Sequence, residues 1–141
     1  MTEAASADIE AVKIVMARYF RFMDTKQWDL LRGILADDMS MAAPDDVADS
    51  EPLVGADRVV RMVERVLGSA VTTHRGYLPE IELDGSDHAH GVWAMDDLVE
   101  FAATPDQSFR GCGHYHATYV RTDDGWKIQS LELRRLRLDS V

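Results

Sequence analysis

The chain has 141 residues, of which 46% are hydrophobic and 28% are charged, as is typical of one folded domain spanning residues 1–141. Its 25 acidic and 15 basic side chains give a formal net charge of −10, which argues against nucleic acid and anionic membranes as partners. The single cysteine, Cys112, excludes an internal disulfide.

Residues 1–8 are small, polar and acidic, and they lack the basic flank and apolar core of a signal peptide. No apolar run elsewhere in the sequence approaches the length of a membrane span. We therefore expect a cytoplasmic protein with no membrane partner.

The first predicted helix ends near Asp24 and has an apolar stripe at helical spacing. The stripe consists of Ile9, Val12, Met16, Tyr19 and Met23. Tyr19 therefore faces the interior, and Asp24 lies where the helix ends. A carboxylate at a helix C-terminus meets the negative end of the helix dipole, which disfavours its ionisation and suits it to proton transfer near neutral pH.

A purely structural role for the same residues is the alternative. Asp24 or Thr25 could cap the next helix, with Gln27 completing a capping box. Short polar residues that precede an apolar period are usually caps, so this stretch alone favours that role. The buried stripe of the capped helix would be Trp28, Leu31 and Leu35. Tyr19 by itself is more typical of a core tyrosine with a satisfied hydroxyl than of an acid.

Residues 26–35 are predicted to form that second, short helix, and residues 37–38 mark a turn. Alternating side chains over 39–43 then predict a short strand. Residues 44–52 are acidic with almost nothing to bury, which predicts a solvated loop that could move over a pocket mouth. Their spacing does not fit a calcium loop. Residues 55–67 predict a third, amphipathic helix ended by a glycine.

From residue 71 the hydrophobic period changes to two, which predicts four long strands. The strands are 71–84, 89–101, 109–121 and 126–138. Pro79 interrupts or bends the first of them. Helices followed by long antiparallel strands predict an α+β domain, in which a curved, cone-shaped antiparallel sheet wraps around the N-terminal helices. We expect one apolar pocket inside the cone.

Apolar residues occupy both faces of the long strands, notably over 89–101 and 131–138. Residues on the concave face would line the pocket, so residues on the convex face need other cover. We therefore expect a homodimer or homotrimer that packs through the outer face of the sheet.

The histidines occupy different environments. His88 and His90 flank a turn and should be exposed, whereas His114 and His116 share one strand face with Cys112. Two histidines spaced in this way can bind a metal, but no third ligand has suitable spacing, so we expect no metal. A lone buried thiol such as that of Cys112 is usually inert, although its histidine neighbours leave a nucleophile conceivable.

His74 lies in the middle of a predicted strand. A histidine held by a carboxylate, with a tyrosine nearby and without a serine or cysteine nucleophile motif, is suited to proton transfer rather than acyl transfer. His74, Asp24 and Tyr19 are the residues of this kind. A hydrogen-bonded or exposed ring without a chemical role is the alternative for any single strand histidine.

Several short motifs carry a family resemblance. They are Ala17-Arg18-Tyr19, Asp24, Trp28, Thr73-His74, residues 89–93, 113–115, Tyr119 and 125–128. In this order they resemble the SnoaL-like branch of the nuclear transport factor 2-like superfamily across essentially the whole chain, and they are nearest in pattern to scytalone dehydratase and bile-acid 7α-dehydratase. The resemblance implies a cone-shaped α+β fold with a deep pocket.

By this resemblance, His74 is a general base that removes a proton next to a carbonyl, and Asp24 orients it. Tyr19 hydrogen-bonds the carbonyl or the leaving hydroxyl. The second catalytic histidine of scytalone dehydratase has no counterpart on the strand of Trp93, which continues as Asp-Asp-Leu-Val over 96–99. A histidine of the next strand, His114 or His116, could substitute for it.

The resemblance implies a cofactor-independent lyase (a dehydratase) or isomerase that acts on a small hydrophobic cyclic substrate such as a steroid, terpenoid or polyketide. The expected catalytic residues are Tyr19, Asp24, His74 and His114, and the expected pocket residues are Met23, Trp28, Met41, Trp93, Cys112 and His116. Three alternatives remain: a polyketide cyclase, a non-catalytic ligand-binding or dimerisation module, and a structural protein like the β subunit of ring-hydroxylating oxygenases.

Overall fold

The structure is a computed structural model that describes residues 1–43 and 51–141. Its α-helices are α1 (Glu3–Asp24), α2 (Trp28–Gly33) and α3 (Ala56–Leu67). Its strands are β1 (Leu35–Ala42), β2 (Leu53–Val54), β3 (Val71–Leu83), β4 (His88–Glu100), β5 (Phe109–Thr122) and β6 (Gly125–Ser140). Most of the predicted loop over 44–52 lies outside the described residues. Within the described part of the chain, no helix has the length and apolar content needed to cross a membrane.

The described strands form one curved, unclosed sheet in the order β2-β1-β6-β5-β4-β3. Neighbouring strands are antiparallel except for β1 and β6, which are parallel. The chain crosses from β2 to the far edge of the sheet at β3, and β4, β5 and β6 then follow in order until β6 lies beside β1. Helix α1 contacts both β3 and β6. The α+β fold with a curved sheet around N-terminal helices is confirmed.

The core lies between α1 and the concave face of the sheet. Its members include Val12, Met16, Tyr19 and Met23 on α1 and Tyr115, Ala117 and Tyr119 on β5. Gly76 on β3 allows α1 to approach closely, since a Cβ atom there would overlap the ring of Phe20. The C-terminal end of α1 is therefore held against β3, the edge strand that carries His74.

The structure differs from the predicted boundaries around the second helix. This helix ends at Gly33, because Leu35 begins β1 and is fully buried. The predicted turn at 37–38 lies inside β1, where the register with β6 shifts between Leu35 and Ser40. Pro79 bends β3 as predicted, at a register shift between β3 and β4.

Candidate active site

Asp24, the last residue of α1, binds β3 through both carboxylate oxygens. Oδ1 lies 2.6 Å from His74 Nδ1 and accepts a hydrogen bond from Thr72 Oγ1 at 3.0 Å. Oδ2 accepts a hydrogen bond of 2.8 Å from the backbone N–H of His74. The alternative role of Asp24 as a cap of the second helix is wrong, because Gln27 occupies the N-cap position of α2 and makes no side-chain cap bond.

His74 is buried, with 5% of its side chain exposed. Because a carboxylate only accepts hydrogen bonds, the contact with Asp24 assigns the proton of the neutral imidazole to Nδ1 and leaves a lone pair on Nε2. Nε2 lies 4.0 Å from Asp97 Oδ2, which is beyond hydrogen-bond length. The ring is therefore oriented as a base whose Nε2 faces the protein interior.

A buried ion pair lies beside Nε2. Arg135 on β6 donates hydrogen bonds of 2.8 and 2.9 Å to the two carboxylate oxygens of Asp97 on β4. The pair reaches across β5 at Gly111, where a Cβ atom would collide with the Arg135 guanidinium. Gly111 is the register partner of Asp97, so the missing side chain is what allows charges on two non-adjacent strands to meet.

Tyr19 and Tyr115 lie on the same inner surface. Both are buried, and their rings pack edge to face with centroids 6.1 Å apart. Burial raises the pKa of Tyr19 to about 12, and it raises the pKa of Tyr115 well above its ordinary value. Both phenols are therefore neutral hydrogen-bond donors at neutral pH, and neither acts as a base.

The predicted pocket residues fall into two groups. Met23 and Trp93 are buried on the inner side, where Trp93 Nε1 donates a hydrogen bond of 2.9 Å to the Tyr119 hydroxyl. Trp28 and Met41 are half-buried and pack against the core. These four residues lie on the side of the sheet that carries His74 or at its margin.

The remaining predicted residues of β5 lie on its outer face, so the prediction that His114 joins Tyr19, Asp24 and His74 is wrong. Buried positions on β5 alternate through Tyr115 and Ala117, so the intervening side chains point away from α1. Cys112 lines an outer groove of about 610 Å³, and His116 lines a second of about 380 Å³. Neither histidine replaces the missing second base.

Asp97 and Arg135 are the site residues that sequence reasoning misses. The sequence feature that could identify Asp97 is its place as a carboxylate on an otherwise apolar strand face. Trp93, Met95 and Val99 share this buried face with Asp97. A charge buried in that way must be paired. Identifying Arg135 as its partner requires the register of three strands, which a single sequence does not supply.

The cluster combines a base with hydrogen-bond donors. Nε2 of His74 can accept a proton, Asp24 can stabilise the resulting imidazolium, and Tyr19 can donate a hydrogen bond to an oxygen that gains charge. Over residues 1–43 and 51–141, no three His, Cys, Asp or Glu side chains are grouped so as to hold a metal ion.

The family model of the SnoaL-like domain matches residues 4–132. Solved structures share the fold. Kfla4162 from Kribbella flavida aligns with a TM-score of 0.88 and 20% identity, covering 96% of this chain and 95% of that one. A candidate scytalone dehydratase from Novosphingobium aromaticivorans has a TM-score of 0.87 and 19% identity, covering 100% and 92%. The hexachlorocyclohexane dehydrochlorinase LinA-type3 from Novosphingobium barchaimii has a TM-score of 0.83 and 19% identity, covering 98% and 92%.

Proposed function

This chain belongs to the SnoaL-like domain family, and we propose that it is a cofactor-independent lyase (a dehydratase) or isomerase that acts on a hydrophobic cyclic substrate. The observation that carries the proposal is the 2.6 Å contact between Asp24 and the buried His74, which leaves Nε2 as a base on the inner side of the sheet, where the neutral phenols of Tyr19 and Tyr115 are also buried. The names of two structural neighbours, a dehydratase and a dehydrochlorinase, denote eliminations and support the same reaction class.

The proposed reaction begins when His74 Nε2 removes a proton from the carbon next to a substrate carbonyl. The electron pair of the broken C–H bond moves into the carbonyl and forms an enolate, whose oxygen accepts a hydrogen bond from Tyr19. Asp24 keeps the proton on Nδ1 and stabilises the imidazolium that forms.

The second half of the reaction decides between the two reaction types. In a dehydratase, the enolate electrons form a C=C bond as the C–O bond at the β carbon breaks, and the imidazolium proton passes to the departing hydroxyl to give water. In an isomerase, the same proton returns to a different carbon. Both routes restore neutral His74 and balance without an oxidant or reductant.

The charges around Nε2 favour an uncharged substrate. Arg135 already shares two hydrogen bonds with Asp97, so the pair presents little net charge to a bound anion. The rings of Tyr19, Phe20 and Tyr115 pack together with centroids 5.5 to 6.1 Å apart, so the inner side of the sheet that carries His74 is largely apolar and aromatic. A cyclic ketone with a β-hydroxyl group fits these requirements.

The test uses a panel of cyclic β-hydroxyketones of steroid, terpenoid and polyketide type in deuterated water. Proton removal is followed by NMR as deuterium uptake next to the carbonyl, and elimination is followed as ultraviolet absorbance of the conjugated enone. We expect activity on at least one compound, and we expect His74→Ala to lower the rate by roughly 10²- to 10⁴-fold.

His88→Ala is the matched control, since His88 is exposed at the start of β4 and should keep the parent rate. If the parent protein neither exchanges nor eliminates with any member of the panel, the proposal fails and a non-catalytic binding module becomes the better account. Full activity in His74→Ala would likewise reject His74 as the base.

A further inference from the structure

Lys26 occupies a backbone position that ordinarily selects glycine. Its φ is 60°, in the left-handed region, and it directly follows Thr25, the C-cap residue of α1. The N–H of Lys26 bonds to Met23 O at 3.2 Å, and the N–H of Gln27 bonds to Phe22 O at 2.8 Å. This is the Schellman arrangement, in which glycine avoids a steric cost that any other residue bears. A lysine here needs a reason beyond the turn.

The side chain of Lys26 supplies that reason because it joins the hydrogen bonds around His74. Its Nζ bonds to Thr72 Oγ1 at 3.1 Å, and Thr72 Oγ1 donates to Asp24 Oδ1 at 3.0 Å. The same Oδ1 lies 2.6 Å from His74 Nδ1. A continuous chain therefore leads from the half-buried ammonium to the proposed base. Burial lowers the pKa of Lys26, and the charge of Asp24 opposes that effect.

Charges of both signs surround His74. The titratable groups around the ring are Asp24 and Tyr19 on α1, Lys26 after α1, Asp97 on β4, Tyr115 on β5 and Arg135 on β6. The phenols are neutral, and the two carboxylates both favour the imidazolium. Arg135 offsets Asp97 by direct contact, whereas Lys26 opposes the charge of Asp24 from one hydroxyl group away, through Thr72.

We propose that Lys26 is a positioning residue that acts through Thr72 on Asp24 and lowers the proton affinity of His74. A positive charge near the Asp24–His74 pair disfavours a second positive charge on the imidazole. The ring then stays neutral, and Nε2 stays available as a base, at a lower pH than Asp24 alone would permit. The catalytic consequence rests on the proposed function of His74, whereas the electrostatic effect does not.

The test is an NMR titration of the histidine rings in the ligand-free protein, with the His74 signal assigned by its loss in His74→Asn. Lys26→Met removes the charge and keeps the bulk of the side chain. We expect the His74 signal of Lys26→Met to titrate at a higher pH than that of the parent, with a modest difference because Lys26 is partly solvated. Lys26→Arg keeps the charge and should titrate close to the parent.

Lys26→Gly separates this role from that of the turn. Glycine relieves the left-handed strain, so the variant should melt no lower than the parent protein while the His74 titration still moves upward. His90 serves as an internal reference, since it is exposed near the opposite end of β4 from Asp97 and should titrate unchanged.

An unchanged or downward His74 titration in both Lys26→Met and Lys26→Gly would overturn the proposal. No substrate enters this measurement, so its outcome is independent of the deuterium-exchange test. If the proposed function also holds, the acid limb of the pH–rate profile should move to higher pH by the same amount in these variants.

Discussion

At the scale of single residues, Asp24 combines an anchoring role with a chemical one. Its bonds to Thr72 and to the backbone N–H of His74 tie α1 to the edge strand, whereas its bond to Nδ1 fixes the tautomer of the ring. A substitution that keeps the shape but removes the charge distinguishes these roles.

Asp24→Asn should lower turnover by roughly 10²-fold or more, because the amide can donate to Nδ1 and so favour the tautomer that places the proton on Nε2. Its carbonyl oxygen still accepts one hydrogen bond, so the free energy of unfolding should fall by only about 1 kcal/mol. Turnover and urea unfolding measured on the same preparation check both expectations. Full turnover combined with a large loss of stability would show that Asp24 is an anchor alone.

A second residue-scale prediction concerns His90, whose Nδ1 lies 2.7 Å from Asp84 Oδ2. This hydrogen bond raises the pKa of His90. The stabilisation is therefore fully present below the unfolded-state pKa and is lost as the pH rises through the higher folded-state value. Asp84→Asn should lower the His90 pKa toward its ordinary value, as measured by NMR titration. The stability change should be small, since both groups are largely exposed.

The sequence predicts some of these residues better than others. The apolar stripe of α1 is enough to place Tyr19 inside and Asp24 at the helix end. The alternation on β5 also predicts that His114 faces outward, because the apolar Tyr115 and Ala117 occupy the alternate positions that face inward. Asp97 cannot be assigned a role in that way, because its partner is defined only when the register of β4, β5 and β6 is known.

At the scale of elements, the position of α1 against β3 determines whether Asp24 can reach His74. Gly76 is the close-contact point, so Gly76→Ala should push the Phe20 ring and the end of α1 away from the strand. We expect a loss of about 1–3 kcal/mol in the free energy of unfolding, as is usual for overpacking a core. The more exposed Gly85, where a Cβ atom meets nothing within 4 Å, lies at positive φ and serves as a strain-only control.

If Gly76→Ala also lowers turnover more than Gly85→Ala, the helix position controls the site as well as the fold. Equal effects of both substitutions on stability and turnover would contradict the importance of this contact.

The Asp97–Arg135 pair links β4 to β6 and gives a second element-scale prediction. Arg135→Met leaves the Asp97 carboxylate buried without its bidentate partner and should destabilise the fold by about 3–5 kcal/mol. Replacing both residues, as in Asp97→Leu with Arg135→Met, should recover much of that loss because no charge is then buried. Thermal unfolding of the single and double variants measures the coupling. A double variant less stable than either single variant would contradict this account.

The element boundaries show where a local pattern is insufficient. Leu35 continues the helical apolar spacing of Trp28 and Leu31, yet it enters β1 because it can be fully buried beside β6. The register shift between Leu35 and Ser40 absorbs the two aspartates that otherwise indicate a turn. Tertiary burial therefore overrides the local period at this junction.

At the scale of the whole molecule, the outer face of the sheet is the surface to test for self-association. We expect a homo-oligomer that covers the half-buried side chains of this face, including Val92, which lines the groove of about 380 Å³. Val92→Asp places a charge in the expected interface and should weaken assembly roughly tenfold or more, because an unpaired charge is costly to desolvate. Val66→Asp, on the exposed side of α3, adds the same charge elsewhere and should assemble like the parent. Light scattering at micromolar concentration compares the three proteins. A monomeric parent would show that the outer face is not an interface. Equal weakening by both substitutions would show that added negative charge opposes association wherever it is placed.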